Sequence, residues 1–212
     1  LLGEDKKNVF NVGCPRLDLI KKYKINKSKL FKEINKEGVG VSINSNDKFL
    51  IVMQHPVTTE YENNFDYMKQ TLDAIREIEC KKIIMWPNAD AGSDDISKLI
   101  RSYREKNLLS DCRFIKNLKA ETYIELLKYC SCIIGNSSSA IREGSFVGVP
   151  AVNVGSRQNS REKAINIITV KNSKNLILSA IKKQIKKRKY KSSKLYGDGK
   201  AGKRILKIVK NI

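Results

Sequence analysis

Histidine, tryptophan and proline are scarce in this chain, with one His, one Trp and four Pro among 212 residues. A structural zinc centre needs four nitrogen or sulfur ligands at set spacings. His55 and five cysteines without a C-x-x-C pair do not provide them, so no metal site is expected. Cys14, Cys80, Cys112, Cys130 and Cys132 are odd in number and lie in or beside apolar segments. That distribution reads as reduced, buried thiols of a cytoplasmic protein rather than a disulfide framework. Long hydrophobic runs are missing too: Phe49 to Met53 and Cys132 to Ile134 fall far short of the roughly 20 residues that cross a bilayer. No membrane contact is expected. The chain opens at Leu1 without the basic and apolar stretches of a secretion signal, an opening expected of a cut made inside a longer protein.

Negative charge is the other shortage. Against 42 Lys and Arg stand 22 Asp and Glu, a formal net charge of +20. Such an excess fits phosphate-binding surfaces, nucleic acid included. Much of it, however, is concentrated between Lys182 and Lys194, and Lys greatly outnumbers Arg. A solvated basic face is the expected reading, and a nucleic-acid-binding module is the alternative from another class. That alternative leaves four polar loops, described below, without a role.

What is present is alternation. Short β-type runs, Lys48 to Met53, Lys82 to Trp86, Arg113 to Lys116, Cys132 to Gly135, Ala151 to Val154 and Ile167 to Val170, alternate with stretches of helical period. Phe65, Met68, Leu72 and Ile75 form one inward stripe, and Ile96, Leu99, Ile100 and Tyr103 another, in a helix starting at Ser93-Asp94-Asp95. A shorter helix is expected over Glu121 to Cys130. Two helices close the chain: Asn175 to about Lys189, with Ile177, Ala180, Ile181 and Ile185 inward, and about Lys200 to Lys210, with Ile205, Ile208 and Val209 inward. The pattern predicts a doubly wound α/β domain with a parallel, Rossmann-like sheet. Residues 1–39 are expected to be a lead-in segment, 40–195 the domain, and 196–212 a helix completing it.

In an open parallel sheet, ligands collect at the carboxyl ends of the strands. Four loops at such ends are conspicuously polar: Gln54 to Thr59, Pro87 to Gly92, Gly135 to Ser139, and Gly155 to Gln158. Gly135-Asn136-Ser137-Ser138-Ser139 leads into a helix, presenting free amides and hydroxyls to an anion, or else a plain run of capping residues. It lacks both Gly-x-Gly-x-x-Gly and the Lys-Ser/Thr of NTP-hydrolysing loops. His55, at a strand end, is a candidate for phosphate contact or proton transfer. Arg157 offers a planar fork for phosphate or carboxylate, and Glu143 an acceptor for ribose hydroxyls; the lesser alternative for each is an ordinary surface charge.

Taken together these segments resemble the hydrolysing UDP-N-acetylglucosamine 2-epimerases. The matching stretches run in family order from Val12-Gly13-Cys14-Pro15 through Gln54-His55-Pro56, Pro87-Asn88 and Asp90-Ala91-Gly92. They continue through Gly135-Asn136-Ser137-Ser138 with Ile141-Arg142-Glu143, Gly148-Val149-Pro150, Arg157-Gln158 and Tyr196-Gly197-Asp198-Gly199. The resemblance implies the second of two Rossmann-like domains of the GT-B type, facing a first domain that this chain does not include, and assembly into a homo-oligomer. It assigns UDP phosphates to Ser137 and Ser138, ribose to Glu143, the uracil to Ile115, further nucleotide contacts to Asn88 and Arg157, and a catalytic place to His55. Lys119-Ala120 departs from the bulkier or aromatic residues of many relatives near the base. No cofactor is implied. The family reaction removes the C2 proton with loss of UDP, and water then adds to the 2-acetamidoglycal to release the free 2-epimer, for sialic or related nonulosonic acid synthesis. The acid/base residues lie in the first domain, so this chain alone is expected to be inactive. The rival branch, the non-hydrolysing epimerases, tends to carry Asp-Ser-Gly-Gly where this chain has Gly135-Asn136-Ser137-Ser138.

Overall fold

A computed structural model describes residues 3–211; Leu1, Leu2 and Ile212, the outermost residues of the expected lead-in and closing helix, lie outside the described residues. In chain order the elements are α1 (Arg16–Lys22), α2 (Lys27–Lys36), β1 (Val39–Gly40), β2 (Phe49–Met53), α3 (Asn64–Ile75), β3 (Lys81–Met85), α4 (Ser93–Glu105) and β4 (Cys112–Ile115). They continue with α5 (Ala120–Leu127), β5 (Cys132–Gly135), α6 (Ser138–Ile141), α7 (Glu143–Val147), β6 (Ala151–Val154), β7 (Ile167–Val170), α8 (Lys174–Ile185) and α9 (Ala201–Val209).

The strands form one sheet in the order β1-β4-β3-β2-β5-β6-β7, parallel except for β1, which pairs antiparallel with β4. From β4 to β7 this is the doubly wound order, and its direction reverses between β2 and β5. Helices cover both faces, so the central strands β2 and β5 are unbroken apolar runs instead of alternating with polar residues. Leu50 and Val52 face α3, α4 and α8, where Met68, Leu72, Ile100, Ile177 and Ile181 pack. Phe49 and Ile51 face the opposite way, against Leu30, Phe31 and Ile34 of α2 and Leu126 and Leu127 of α5. The segment before residue 40 is therefore built into the body: α2 supplies core and β1 lengthens the sheet. Among the described residues no helix is long and apolar enough to cross a membrane.

Several inward positions are not covered. Phe65 is 48% exposed, because it lies in the first turn of α3, at the end nearest the loops. Helix α8 stops at Ile185, leaving that side chain 36% exposed. Only the start of α9 is packed: Ala201 is buried, while Ile205 and Val209 on the same stripe are exposed. Helix α4 begins at Ser93, but without a side-chain cap; Gly92, at φ 91°, takes the N-cap position.

At the end of β5 the chain needs a glycine. Gly135 has φ 124°, and a Cβ there would lie 2.1 Å from the Met53 carbonyl oxygen of the neighbouring strand. Gly135→Ala is expected to cost at least about 2 kcal/mol, through a strained φ and a backbone clash. Thermal unfolding should show a midpoint lowered by roughly 4–8 °C for a domain of this size, and an unchanged midpoint would refute this account of the turn.

Candidate functional site

Loops leave the carboxyl ends of β2, β3, β5 and β6, and side chains tie all four around Asn136. Asn136 Oδ1 accepts from the His55 N–H at 2.7 Å, and its Nδ2 donates to the His55 carbonyl at 2.8 Å. The Asn136 carbonyl accepts from Gln158 Nε2 at 2.8 Å and from Arg157 Nη1 at 3.4 Å. The β3 loop joins through Asn88, whose N–H donates to His55 Nδ1 at 3.2 Å and whose Nδ2 donates to Asp90 Oδ2 at 2.6 Å. Arg157 Nη2 lies 3.5 Å from that same Asp90 oxygen. The expected convergence of the four loops is what the fold produces.

These contacts set the state of the imidazole. Burial, then the positive charge of Arg157, pull the His55 pKa down to about 4, against smaller opposing effects of Asp90 and the Asn88 hydrogen bond. At neutral pH the ring is uncharged. Its Nδ1 accepts from Asn88, so the proton resides on Nε2, which is left as a donor.

On the other side of Asn136 lies a cavity of about 260 Å³, walled by Ser137, Ser138, Ser139, Arg142 and Glu143 and by Arg16, Tyr123, Asn117 and Leu118 among others. Ser137 Oγ accepts from the Ser139 N–H at 3.3 Å, and Ser138 Oγ from Arg142 Nη2 at 3.3 Å. Both hydroxyl protons stay available for an acceptor. Glu143 is 1% exposed. Its Oε1 accepts from Arg16 Nε at 2.9 Å, while Oε2 has no hydrogen-bond partner. The unpartnered buried side-chain atoms among the described residues are Glu143 Oε2, Arg142 Nε and Gln158 Oε1. All three belong to the β5 and β6 loop region. Such atoms are costly and rare; Glu143 Oε2 and Arg142 Nε face each other at 3.8 Å, within ion-pair reach but too far for a hydrogen bond, and both residues line the cavity.

The structure brings His55, Asn88 and Arg157 together, and separately Ser137, Ser138 and Glu143, with Asn136 joining the two groups. Ile115 stands apart. Its side chain is 1% exposed and packs in the core below α5, whereas Asn117 and Leu118, just after it, line the cavity. Arg16, Tyr123, Asp90, Asn136 and Gln158 complete the site without having been singled out by sequence. Tyr123 is buried, its hydroxyl 2.8 Å from Ser139 Oγ. Asn136 and Gln158 sit inside the polar loops, a signal that was there to be used; Arg16 is 127 positions from Glu143 and carries no such mark. Among the described residues no group of three His, Cys, Asp or Glu side chains could hold a metal ion.

Fold and site define the class: an open, doubly wound α/β unit with a ligand crevice at its switch point. A family model described as UDP-N-acetylglucosamine 2-epimerase matches residues 1–210, and the chain belongs to that family. It is 32% identical, over its whole length and 54% of the relative's, to the UDP-N,N'-diacetylbacillosamine 2-epimerase (hydrolyzing) of Legionella pneumophila. Over 79% of its length and 42% of the relative's it is 30% identical to the GDP/UDP-N,N'-diacetylbacillosamine 2-epimerase (hydrolyzing) of Campylobacter jejuni. The Methanocaldococcus jannaschii UDP-GlcNAc 2-epimerase, solved in complex with UDP-GlcNAc and UDP, shares the fold with a TM-score of 0.71 at 18% identity, over 99% of this chain and 57% of that one. The chain thus spans about half the length of the proteins it matches.

Because His55 is the sole histidine, its titration can be followed without assignment. Its ring-proton NMR signal should stay constant from pH 8 to about 5 and move with a midpoint near 4. The linked stability follows in sign: between pH 6.5 and 4 the unfolded chain binds the proton and the folded chain does not, so stability falls as pH falls through that window. The loss, of order up to about 3 kcal/mol, begins near 6.5 and is complete below 4. A midpoint near 6.5 would overturn the described environment.

Proposed function

We propose that this chain is the nucleotide-holding half of a hydrolysing 2-epimerase acting on a UDP-linked 2-acetamido sugar, UDP-N-acetylglucosamine or a diacetamido-dideoxy analogue, in nonulosonic acid synthesis. The observation that carries the reading is the buried Glu143 Oε2, which accepts no hydrogen bond and has only the Arg142 Nε charge 3.8 Å away, on the wall of a cavity that also holds Ser137 and Ser138. An orphan carboxylate oxygen calls for O–H donors, and vicinal ribose hydroxyls are such donors. The neighbouring serine hydroxyls and first-turn amides suit phosphate oxygens. In this reading Arg157, Asn88 and the Nε2–H of His55 continue the row of donors beyond Asn136 along the diphosphate. Ile115 contributes strand-end backbone and packing beneath the base rather than a side chain in the cavity.

The chemistry follows from where charge builds up. Loss of UDP from the sugar places negative charge on the β-phosphate, and donors fixed on that group stabilise the transition state more than the ground state. A neutral His55 with its proton on Nε2 acts here as a donor to the leaving group; the base that takes the C2 proton is assigned to the other half of the protein. Water then adds to the glycal, giving the free 2-epimer; UDP has already left in the first step. The hydrolysing branch is supported by the names of the Legionella and Campylobacter relatives and by Asn136-Ser137-Ser138 in the turn. This chain alone should give no turnover.

Calorimetry on the 212-residue chain should detect UDP. Ser137→Ala with Ser138→Ala, or Arg157→Ala, should each weaken binding by about 1.5–3 kcal/mol, the range for hydrogen bonds to charged groups. A folded sample with no UDP affinity up to millimolar concentration would sink the binding site. The reaction is tested separately with the whole protein in deuterated water: deuterium should enter C2 of the product, and phosphorus NMR should show UDP accumulating in step with free sugar. A product still attached to UDP would reject the hydrolytic assignment alone.

A further inference from the structure

The basic run from Lys182 to Lys194 takes no part in the site described above. Helix α8 ends at Ile185, and just beyond it Arg188 holds φ 55°, a left-handed conformation uncommon for a residue with a side chain. The turn forms one wall of a groove of about 700 Å³. The other walls are Lys48, Ile78 to Cys80 and Lys128 to Ser131, the segments leading into β2, β3 and β5. These segments precede their strands, so the groove lies at the amino end of the sheet, the edge opposite the four polar loops.

Its lining is divided. Ile78, Cys80, Tyr129, Cys130 and Ile185 make an apolar floor, with Tyr129 and Ile185 each 36% exposed. Burial pushes the Cys130 thiol up to about 12 and raises that of Cys80, so both are uncharged at neutral pH. Around the floor stand Lys48, Lys128, Lys186, Arg188 and Lys189, against Glu79 as the acid of the rim. Lys128 is paired with Glu125, and Lys189 Nζ donates to the Lys128 carbonyl at 2.8 Å. Among the described residues Lys48, Lys186 and Arg188 have no acidic partner within ion-pair distance. A volume of this order and an apolar surface with a few convergent charges are the attributes of small-molecule pockets.

We propose that this groove binds a small anionic amphiphile: an apolar or aromatic body on the Ile78–Tyr129–Ile185 floor, and a carboxylate, phosphate or sulfonate among Lys48, Lys186 and Arg188. A nucleic acid fits less well. Strand binding needs cations along a track and open aromatic faces for stacking. Here the cations ring one concavity instead of following a track, and its lining offers a single aromatic ring, Tyr129, where a strand would need several.

The test uses the 212-residue chain and the fluorescent probe 1-anilinonaphthalene-8-sulfonate, with octyl phosphate, octyl glucoside, inorganic phosphate, UDP and oligothymidine as competitors. The probe should bind saturably and be displaced by octyl phosphate, but not by the other four. Lys186→Gln with Arg188→Gln, and separately Ile185→Glu, should weaken probe binding at least tenfold, while circular dichroism and UDP affinity, within about threefold, stay unchanged. Displacement by inorganic phosphate as effectively as by octyl phosphate would reduce the groove to a bare charge cluster and overturn the proposal. So would equal displacement by octyl glucoside, unchanged binding in the variants, or displacement by oligothymidine without octyl phosphate. A probe displaced by UDP would place the binding in the other crevice and overturn it too.

Discussion

The pair of hydrogen bonds between the Asn136 side chain and the His55 peptide holds the whole crevice in one geometry. Strands β2 and β5 are hydrogen-bonded neighbours up to Met53 and Gly135. Beyond that point the chain must part, since β2 leads to a helix on one face of the sheet and β5 to a helix on the other. Parting leaves backbone groups without a ladder. Asn136, 2% exposed, supplies the missing rung, with its side chain bonding both the N–H and the carbonyl of His55. Without that amide two peptide groups would lose their partners, at about 1–3 kcal/mol each. His55, Arg157 and Gln158 would lose their common reference point as well. Gly135 belongs to the same device, because only a residue without Cβ lets the Asn136 N–H approach the Met53 carbonyl to 3.1 Å.

The two ends of the chain are stitched to this centre from outside the sheet. Arg16, at the start of α1, reaches Glu143. Two residues on, Asp18 accepts from the N–H groups of Ala201 and Gly202 at 3.0 and 2.8 Å, capping α9 with a negative charge where the helix dipole favours one. Cys14 donates its N–H to the Tyr196 carbonyl at 2.7 Å, and Arg204 clasps both oxygens of Asp198. Thus the residues before the sheet and after it form one brace, and the orientation of Glu143 depends on that brace. The matches to the family at Val12 to Pro15 and at Tyr196 to Gly199 fall on its two strands.

The sheet is legible in the sequence because both its faces are covered. Phe49 to Met53 reads as an unbroken apolar run for that reason, and the observed strands agree with the expected ones to within one residue at every end, β5, β6 and β7 coinciding at both. Helical period is less informative, since it shows which residues share a stripe but not whether anything covers it. Met68 and Leu72 are buried, while Phe65, Ile205 and Val209 are not. The two-residue β1 is too short to leave a pattern. Buried charge is also invisible: Lys82 looks like any strand lysine, yet it is fully enclosed, its Nζ donating to Asp111 and to the Ile78 carbonyl. At the site, polar loops after apolar strands announce where the crevice is. The joint at Asn136 and the reach of Arg16 to Glu143 are properties of the fold, not of any local stretch.

The lowered pKa of His55 follows from its place in a crevice rich in donors. Arg157 is close enough to disfavour a second cation, and Asp90 only partly offsets it. A charged imidazole beside Arg157 would have to be desolvated and repelled at once. Kept neutral, the ring avoids both costs and still offers an N–H. In the proposed reading the arriving diphosphate adds negative charge at the Nε2 side, which favours the protonated ring and draws its pKa back towards the ordinary value. In that same proposed reading the imidazole would be a neutral donor before the diphosphate arrives and closer to a charged one as UDP leaves, when charge on the β-phosphate is greatest. Stabilisation by such a group would be concentrated at the step that needs it, which is what differential binding of a transition state requires.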